Sequence, residues 1–463
     1  MKVIDYFRIS SKLLYPIYES KINLYFRALI KPMSKRNDNN MSSGKPLRIA
    51  VIGAGVRGTG LARKISSSEF AAVIVAVAEP DDEKRMSFAI EFNIPGNNIF
   101  SGWEDLSHQL DDCDAAIIAT LDNQHTGPAI ACLNRGWHLL IEKPLAESFK
   151  DCLLIDKAKQ EADKIVAVCH TLRFMFGYRK VKQLLEAGTI GQLIHIEHFE
   201  AIGNARFVHN YVRGRWAREK NNTFLLLHKC CHDIDYINWL IKEPCLRVSS
   251  FGSLKYFTPL NAPAGSTYRC IDKCAVKDTC PYFAVTIYVD GALEEWPAKD
   301  ICKVHTIEAH IDAINNGPYG ICAWRANNDV IDHQVVMMEF EGGTTATCTL
   351  SGYSATNGRR IRLQGSHGEL LFDEAAGYIS IKKFAEKESE IIEISSPDSY
   401  HPEDKEIVNN WLSSILLSTS VSVDTKEALR THAVVFASEL SRNEKRVVEM
   451  TEYDVTAKNS GIN

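Results

Sequence analysis

The sequence lacks the features that mark membrane and secreted proteins. No segment approaches the run of about 18 apolar residues that a membrane-spanning helix needs, so no membrane span is predicted. No continuous apolar stretch precedes a small-residue cleavage site near residue 1, and the 13 cysteines are an odd number. A secreted disulfide framework is therefore not expected, and the prediction is a cytoplasmic protein with reduced thiols.

An excess of positive charge is also lacking. The net charge of -5 and the pI near 6.3 argue against a protein that mainly neutralises nucleic-acid phosphates. Residues 1–46 are the exception, a basic leader and linker, because residues 1–45 hold nine Lys or Arg and three acidic residues. Three interpretations of this leader stay open: a targeting or membrane-surface helix, a poorly ordered tail, or residues upstream of a start at Met33 or Met41. We assign it no function.

The remainder has the composition of an ordinary globular protein, and its 463 residues predict two domains. From Leu47 the segment LRIAVIGAGVRGTGLARKI predicts a strand, a tight turn and a helix. Its glycines, Gly53, Gly55 and Gly58, follow the dinucleotide-binding spacing G-x-G-x-x-G. The first permits the turn, the second lets the backbone approach a pyrophosphate, and the third allows close helix packing. The helix N-terminus would then bind the phosphates, with Val56 and Arg57 as further contacts.

A second buried run ends in Glu79, 21 residues after Gly58. An acidic residue there accepts hydrogen bonds from a ribose 2′-hydroxyl and repels a 2′-phosphate. The predicted cofactor is therefore NAD, although Arg57 leaves NADP open.

Strand and helix patterns alternate through residue 168, which indicates βαβ units and a parallel sheet. Ligands of such sheets bind at the carboxyl ends of the strands, where Thr120 and Glu142 fall. These two residues and His125 complete the predicted cofactor site. The predicted domains are 47–168, a Rossmann domain, and 169–463, where β-type runs separated by Gly and Asn turns predict a sheet.

The string HLLIEKPLA ends a buried strand with Glu142, Lys143 and Pro144. With the glycine motif before it, this string resembles the glucose-fructose oxidoreductase, inositol dehydrogenase and MocA (Gfo/Idh/MocA) family of NAD(P)-dependent oxidoreductases. Longer strings are similar to the same family, among them HTLRFMFGYRKVKQLLEAGTIGQLIHIEHFE, KCCHDIDYINWL and GRRIRLQGSHGEL. The resemblance implies a C-terminal α/β domain with a large, open, mainly antiparallel sheet, and a homodimer or homotetramer that covers it. It also places Lys143 beside the nicotinamide.

By the same resemblance His232 is the catalytic histidine. Oxidation of an alcohol needs a base for the hydroxyl proton, and a histidine near neutrality suits that task, while Lys143 would stabilise the developing charge on oxygen. Inositol-dehydrogenase-type members have an Asp four residues before this histidine, where this chain has His228. Asp233 or Asp235 could orient His232 instead, or Lys229 could share the acid/base role. The i, i+4 spacing of His228 and His232 also fits zinc, but the charge of Lys229 opposes a cation.

Substrate contacts are expected from the Tyr211–Trp216 segment and from Arg173, His228, Lys229, Asp235 and Tyr319. No metal site is predicted. Cys270, Cys274 and Cys280 form a C-x3-C-x5-C pattern for which free structural thiols are the first interpretation. A soft-metal site completed by Cys302 or His305, and a disulfide, remain the alternatives.

These observations predict an NAD-dependent oxidoreductase that moves hydride between nicotinamide and a secondary alcohol of a sugar, cyclitol or related polyol. One alternative is a redox-assisted glycosidase or lyase that retains its NAD. Another is a non-enzymatic dinucleotide-binding regulator. Neither a nucleic-acid partner nor a membrane span is expected.

Overall fold

A computed structural model describes residues 45–394 and 403–453. The predicted leader therefore lies almost wholly outside the described residues. Within the described ranges the chain forms one sheet of six strands and another of nine. No helix in these ranges is long and apolar enough to cross a membrane.

The N-terminal sheet consists of short strands that alternate with helices. Its order is β3-β2-β1-β4-β5-β6, with parallel pairing. Its strands are fully buried in their central parts, as expected for a parallel sheet covered on both faces. The strands are β1 Leu47–Ile52, β2 Ala72–Ala78, β3 Ile99–Phe100, β4 Ala115–Ile118, β5 His138–Ile141 and β6 Val166–Val168. The helices are α1 Val56–Ser66, α2 Asp82–Glu91, α3 Trp103–Gln109, α4 Thr126–Asn134 and α5 Phe149–Ala162.

The second sheet has the order β14-β13-β12-β11-β7-β10-β9-β8-β15, and β7 with β10 is its one parallel pair in the described chain. The predicted fold class, a Rossmann sheet followed by a large, mainly antiparallel sheet, is confirmed. The strands are β7 Leu193–Gly203, β8 Cys245–Ser253, β9 His333–Phe340, β10 Thr345–Ser354, β11 Gly358–Gly365, β12 Gly368–Asp373, β13 Tyr378–Lys383, β14 Glu390–Glu393 and β15 Val448–Glu449.

Helices cover one face of the second sheet, and two of them carry histidines of the candidate site. Helix α8 Leu225–Ile241 is buried along most of its length and packs on β7 and β10. Helix α12 Thr425–Glu444 packs on α8, on β8 and on α5. The others are α6 Phe176–Glu186, α7 Asn204–Phe207, α9 Ala284–Tyr288, α10 Ile307–Asn316 and α11 Glu403–Leu416. The domain boundary at residue 168 stays a prediction.

Candidate active site

The glycine-rich loop leaves room for a phosphate group beside the N-terminus of α1. Gly53 has a φ of +95°, and a Cβ there would lie 2.4 Å from the Ala119 carbonyl oxygen. A Cβ on Gly58 would lie 1.9 Å from the Gly53 oxygen, so both positions require glycine. A Cβ on Gly55 would meet nothing within 4 Å. Gly55 is also the N-cap of α1 and supplies no capping side chain, so an anion can take up the first helical N–H groups.

Glu79 lies at the end of β2, next to this loop. One carboxylate oxygen accepts the Ala54 N–H at 2.8 Å, and the other accepts the Asp81 N–H at 3.1 Å. These bonds fix the carboxylate of Glu79, a residue that is only 8% exposed. Each oxygen of a carboxylate can accept more than one hydrogen bond, so Glu79 retains the capacity to bind ribose hydroxyls.

Arg57 uses its guanidinium on two carboxylates. Its Nε donates to Glu142 at 2.7 Å, and its two terminal nitrogens donate to Asp404 at 2.8 and 2.9 Å. Burial lowers the pKa of Arg57, but Glu142 and Asp404 more than offset this, so the net pKa is raised. Arg57 and Glu142, both predicted cofactor contacts, therefore form an ion pair with each other, and Val56 beside them is 80% exposed.

The loop that carries Lys143 is fixed by two buried histidines. The Lys143–Pro144 peptide bond is cis. His125, 1% exposed, donates from Nδ1 to the Pro144 oxygen at 2.7 Å. His432 of α12 accepts the Leu145 N–H at Nε2 (2.9 Å) and donates from Nδ1 to the Ala428 oxygen (2.7 Å), which defines its tautomer. His125 thus supports this loop, and the Thr120 hydroxyl nearby donates to the Gln124 oxygen at 3.2 Å.

Lys143 lies against the start of α8. Its Nζ donates to the backbone oxygen of His228 at 2.7 Å. The His228 ring bonds Asp122, with 2.5 Å between Nδ1 and Oδ2. Burial raises the pKa of Asp122, but the hydrogen bond and charge of His228, together with the charges of Lys143 and His125, outweigh burial and bring the pKa to about 2. Burial and Lys143 lower the pKa of His228. At neutral pH His228 is therefore neutral, and its Nδ1–H donates a hydrogen bond to the ionised carboxylate of Asp122.

His232 lies one helical turn after His228 and is partly exposed. Burial, Lys143 and His170 hold its pKa well below 6.5, so its imidazole is neutral. Its Nδ1 is buried without a hydrogen-bond partner in the described structure. The ring of His170 packs edge-on at 5.6 Å between centroids.

The carboxylates expected to orient His232 bind other partners. Asp233 accepts from His198 at 2.7 Å and from Arg359 at 2.5 Å. Asp235 accepts two hydrogen bonds from Arg173, at 2.7 and 2.8 Å. This corrects the expectation that one of the two orients His232 directly. The carboxylate that does orient an imidazole of α8 is Asp122, and the imidazole is that of His228.

Other predicted substrate contacts are paired with neighbouring side chains. Arg173 is 5% exposed and forms the ion pair with Asp235 just described. Lys229 lies 2.6 Å from Glu200, and Tyr319 stacks on His209 at 4.8 Å between ring centroids. Trp216, from the predicted Tyr211–Trp216 segment, instead lies 4.8 Å from the His228 ring.

Two residues of the site were missed at the sequence level. Asp122 comes just after β4 at the carboxyl end of a parallel strand, which is the rule that selected Thr120, so it could have been found. No sequence pattern indicates His432, which lies 287 residues from Leu145.

Comparison with known proteins identifies the family. Residues 47–170 match the Gfo/Idh/MocA oxidoreductase family's NAD-binding Rossmann fold, and residues 182–450 match its C-terminal alpha/beta domain. The chain belongs to the Gfo/Idh/MocA oxidoreductase family. The resemblance seen in the sequence and the predicted NAD-binding Rossmann domain are both confirmed.

The curated relatives align with only part of this chain. Inositol 2-dehydrogenase 1 of Saccharopolyspora erythraea is 28% identical over 44% of this chain and 57% of its own. The 2,7-anhydro-N-acetylneuraminate hydratase of Mediterraneibacter gnavus is 26% identical over 42% of this chain and 50% of its own. This chain covers 50–62% of the first curated relatives that it matches.

Solved structures resemble nearly the whole chain. A levoglucosan dehydrogenase in complex with NADH has a TM-score of 0.65 and covers 88% of this chain and 99% of its own, at 17% identity. At that identity the likeness shows the fold alone.

Proposed function

We propose that the protein is an NAD-dependent oxidoreductase that transfers hydride between nicotinamide and a secondary alcohol of a sugar, cyclitol or related polyol. The observation that carries this proposal is the contact between Lys143 and the start of α8. The hydrogen bond from Lys143 to His228 joins the Rossmann loop that carries the lysine to the helix that carries both imidazoles. A neutral imidazole can accept the hydroxyl proton in alcohol oxidation, and an ammonium group can stabilise the negative charge that develops on the oxygen.

The dinucleotide fits the residues present. The glycine loop and the N-terminus of α1 would hold the pyrophosphate, and Glu79 would accept hydrogen bonds from the adenosine ribose. When bound, the nicotinamide supplies hydride acceptance and donation. NAD is favoured over NADP because Glu79 is an anion at the ribose position and the guanidinium of Arg57 is already bonded to two carboxylates.

We assign the proton transfer to His232. Its neutral imidazole can accept the proton of the substrate hydroxyl, and Lys143, held by the His228 carbonyl, would stabilise the negative charge that develops on that oxygen. His228 is oriented by Asp122, which leaves its Nε2 as a hydrogen-bond acceptor for a second substrate hydroxyl. The indole of Trp216 beside it suits the apolar face of a sugar ring.

The experiment that tests this function replaces Lys143. We expect Lys143→Met to lower kcat about 10²–10³-fold while NADH binding changes only a few fold, because the ammonium acts on the substrate oxygen. Exposed Lys150→Met is the matched control. The assay follows nicotinamide absorbance over a polyol panel and titrates NADH by fluorescence. Unchanged turnover in the Lys143 variant would refute the role of Lys143, and a non-enzymatic regulator would show no turnover even as the wild-type protein.

The roles of the two histidines are separated by paired variants. We expect His232→Asn to lower kcat about 10²–10⁴-fold, and His228→Asn to act mainly on KM. If His228→Asn lowers kcat more than His232→Asn does, His228 is the base and His232 binds the substrate. Asp122 would then orient the base.

A redox-assisted lyase or hydratase is the second candidate, favoured because one relative is named a hydratase. Such an enzyme would retain its NAD through purification and form no net NADH during turnover. Mass analysis of the nucleotide in the purified protein distinguishes the two. We further propose a cytoplasmic location, supported by the 13 cysteines, none of which forms a disulfide.

A further inference from the structure

A small cavity in the C-terminal domain is lined by four cysteines. Cys270, Cys274 and Cys280 come from the loop between β8 and α9, and Cys322 follows 42 residues after Cys280. An antiparallel bridge between Arg269 and Ile321 brings the two segments together. Neither Cys302 nor His305, the fourth ligands considered from the sequence, is part of the lining.

A buried arginine lines the same cavity without a carboxylate partner. Arg213 is 3% exposed. It donates from Nε to the Ile321 oxygen and from Nη2 to the Tyr282 oxygen, each at 2.7 Å, and from Nη2 to the Cys270 sulfur at 3.4 Å. Its Nη1 is buried and has no partner in the described structure. A buried charge is strongly destabilising unless an opposite charge lies near it.

Two more side chains of the lining have polar atoms without partners. The hydroxyl oxygen of Ser266 and the indole nitrogen of Trp324 are buried, and neither has a hydrogen-bond partner in the described residues. Together with Arg213 these make three groups that can donate hydrogen bonds. Neutral thiols are weak acceptors, whereas thiolates are strong ones. The lining therefore matches an anionic sulfur centre better than four thiols.

We propose that Cys270, Cys274, Cys280 and Cys322 bind one soft metal ion, with zinc as the expected occupant. Four cysteine S–H bonds would lose their protons to solvent, four sulfur–metal bonds would form, and no electron would be transferred. Zn²⁺ with four thiolates carries a net charge of about -2, and the guanidinium of Arg213 would offset half of it. Ser266 and Trp324 would donate to the remaining sulfur lone pairs.

The metal would have a structural role near the candidate active site. Arg213 follows Tyr211 and precedes Trp216, the indole that lies beside His228. A metal centre that joins the 270–280 and 320–324 segments to Arg213 would hold the nearby rings of Tyr211 and Trp216 in place. In the described chain no three His, Cys, Asp or Glu side chains are already arranged as metal ligands, so binding would draw the thiols inward across the cavity.

The test measures metal in the tag-free full-length chain, expressed with added zinc, kept reduced and dialysed against a chelator. Elemental analysis should find about one zinc per chain, as for a structural four-cysteine site, and Cys274→Ser or Cys322→Ser should lower it about tenfold or more. Cys302→Ser is the matched control and should retain the metal. Protein grown with cobalt should show sulfur-to-cobalt charge transfer and tetrahedral cobalt absorption, which needs no variant to fold.

Three results would overturn the proposal. The first is metal-free wild-type protein in which all four cavity thiols react as free thiols. The second is an unchanged zinc content in the Cys274 and Cys322 variants, which would place the ion elsewhere. The third is a disulfide between cavity cysteines in reduced protein, found by mass spectrometry. None of these results bears on the dinucleotide site.

Discussion

At the scale of single residues, Glu79 and Arg57 both bear on one question. The question is whether the adenosine ribose of the cofactor carries a 2′-hydroxyl or a 2′-phosphate. The Glu79 carboxylate is fixed by two backbone N–H groups at the end of β2. Arg57, which could have bound a 2′-phosphate, is bonded to Glu142 and Asp404. Both positions therefore favour a free 2′-hydroxyl, although the sequence suggested opposite preferences for them.

Replacing Glu79 tests this preference. We expect Glu79→Ser to raise the ratio of kcat/KM for NADP to that for NAD about tenfold or more, since a lost hydrogen bond of about 1.4 kcal/mol corresponds to a factor of ten. Steady-state kinetics with both cofactors measure the ratio. Glu69→Ser, an exposed position just before β2, is the control. If both variants keep the wild-type ratio, Glu79 does not read the ribose.

At the scale of elements, α12 joins the two domains through one buried histidine. His432 accepts the Leu145 N–H in the loop that carries Lys143, although α12 belongs to the C-terminal part of the chain. Burial and the neighbouring His170 lower the pKa of His432 to about 3. Its neutral form is the one that can accept this hydrogen bond.

This histidine predicts a loss of stability in acid. An unfolded histidine has a pKa near 6.5, so between pH 6.5 and about 3 the unfolded chain takes up a proton that the folded chain does not, and the free energy of unfolding falls as the pH is lowered. We expect His432→Gln to reduce the slope of the urea midpoint against pH in this window. His108→Gln, exposed on α3, should leave it unchanged. Equal slopes in wild type and the His432 variant would contradict the assignment.

At the scale of the whole molecule, the nine-stranded sheet has two different faces. One packs on α8 and α12. The other carries Phe251 of β8 and Met337 of β9, which are 61% and 44% exposed. Strands β8 and β9 are hydrogen-bonded neighbours in the sheet. Large apolar side chains left exposed on a sheet face are typical of a subunit interface.

We therefore predict a homodimer or homotetramer that buries this face. Light scattering after size exclusion should give a mass of at least two chains. Phe251→Asp combined with Met337→Asp should shift the protein toward the monomer, because each buried carboxylate would oppose association. Leu260→Asp, at a position 97% exposed outside the sheet, is the control. A monomeric wild type would show that the face is not an interface in solution.

The elements and the cofactor site could be predicted from short segments of sequence. Val56–Ser66 begins directly after Gly55 and contains Gly58, as the G-x-G-x-x-G spacing indicated, and Phe149–Ala162 is one of the helices in the predicted alternation of strands and helices. Lys143 and His232 were instead selected by the resemblance of the strings HLLIEKPLA and KCCHDIDYINWL to one family, and their roles stay predictions. The glycine loop and the helices depend on contacts between residues close in the chain, so periodicity and turn chemistry are sufficient to predict them.

The partners of these residues were decided only by the tertiary structure. Asp122 bonds His228 across 106 positions, His432 bonds Leu145 across 287, and Asp404 bonds Arg57 across 347. A charged or polar side chain can pair with any complementary group that packing brings near it, and that choice depends on how whole helices and sheets pack. The sequence by itself therefore determined the fold and the kind of chemistry, while the packing of two domains decided which carboxylate and which imidazole meet at the site.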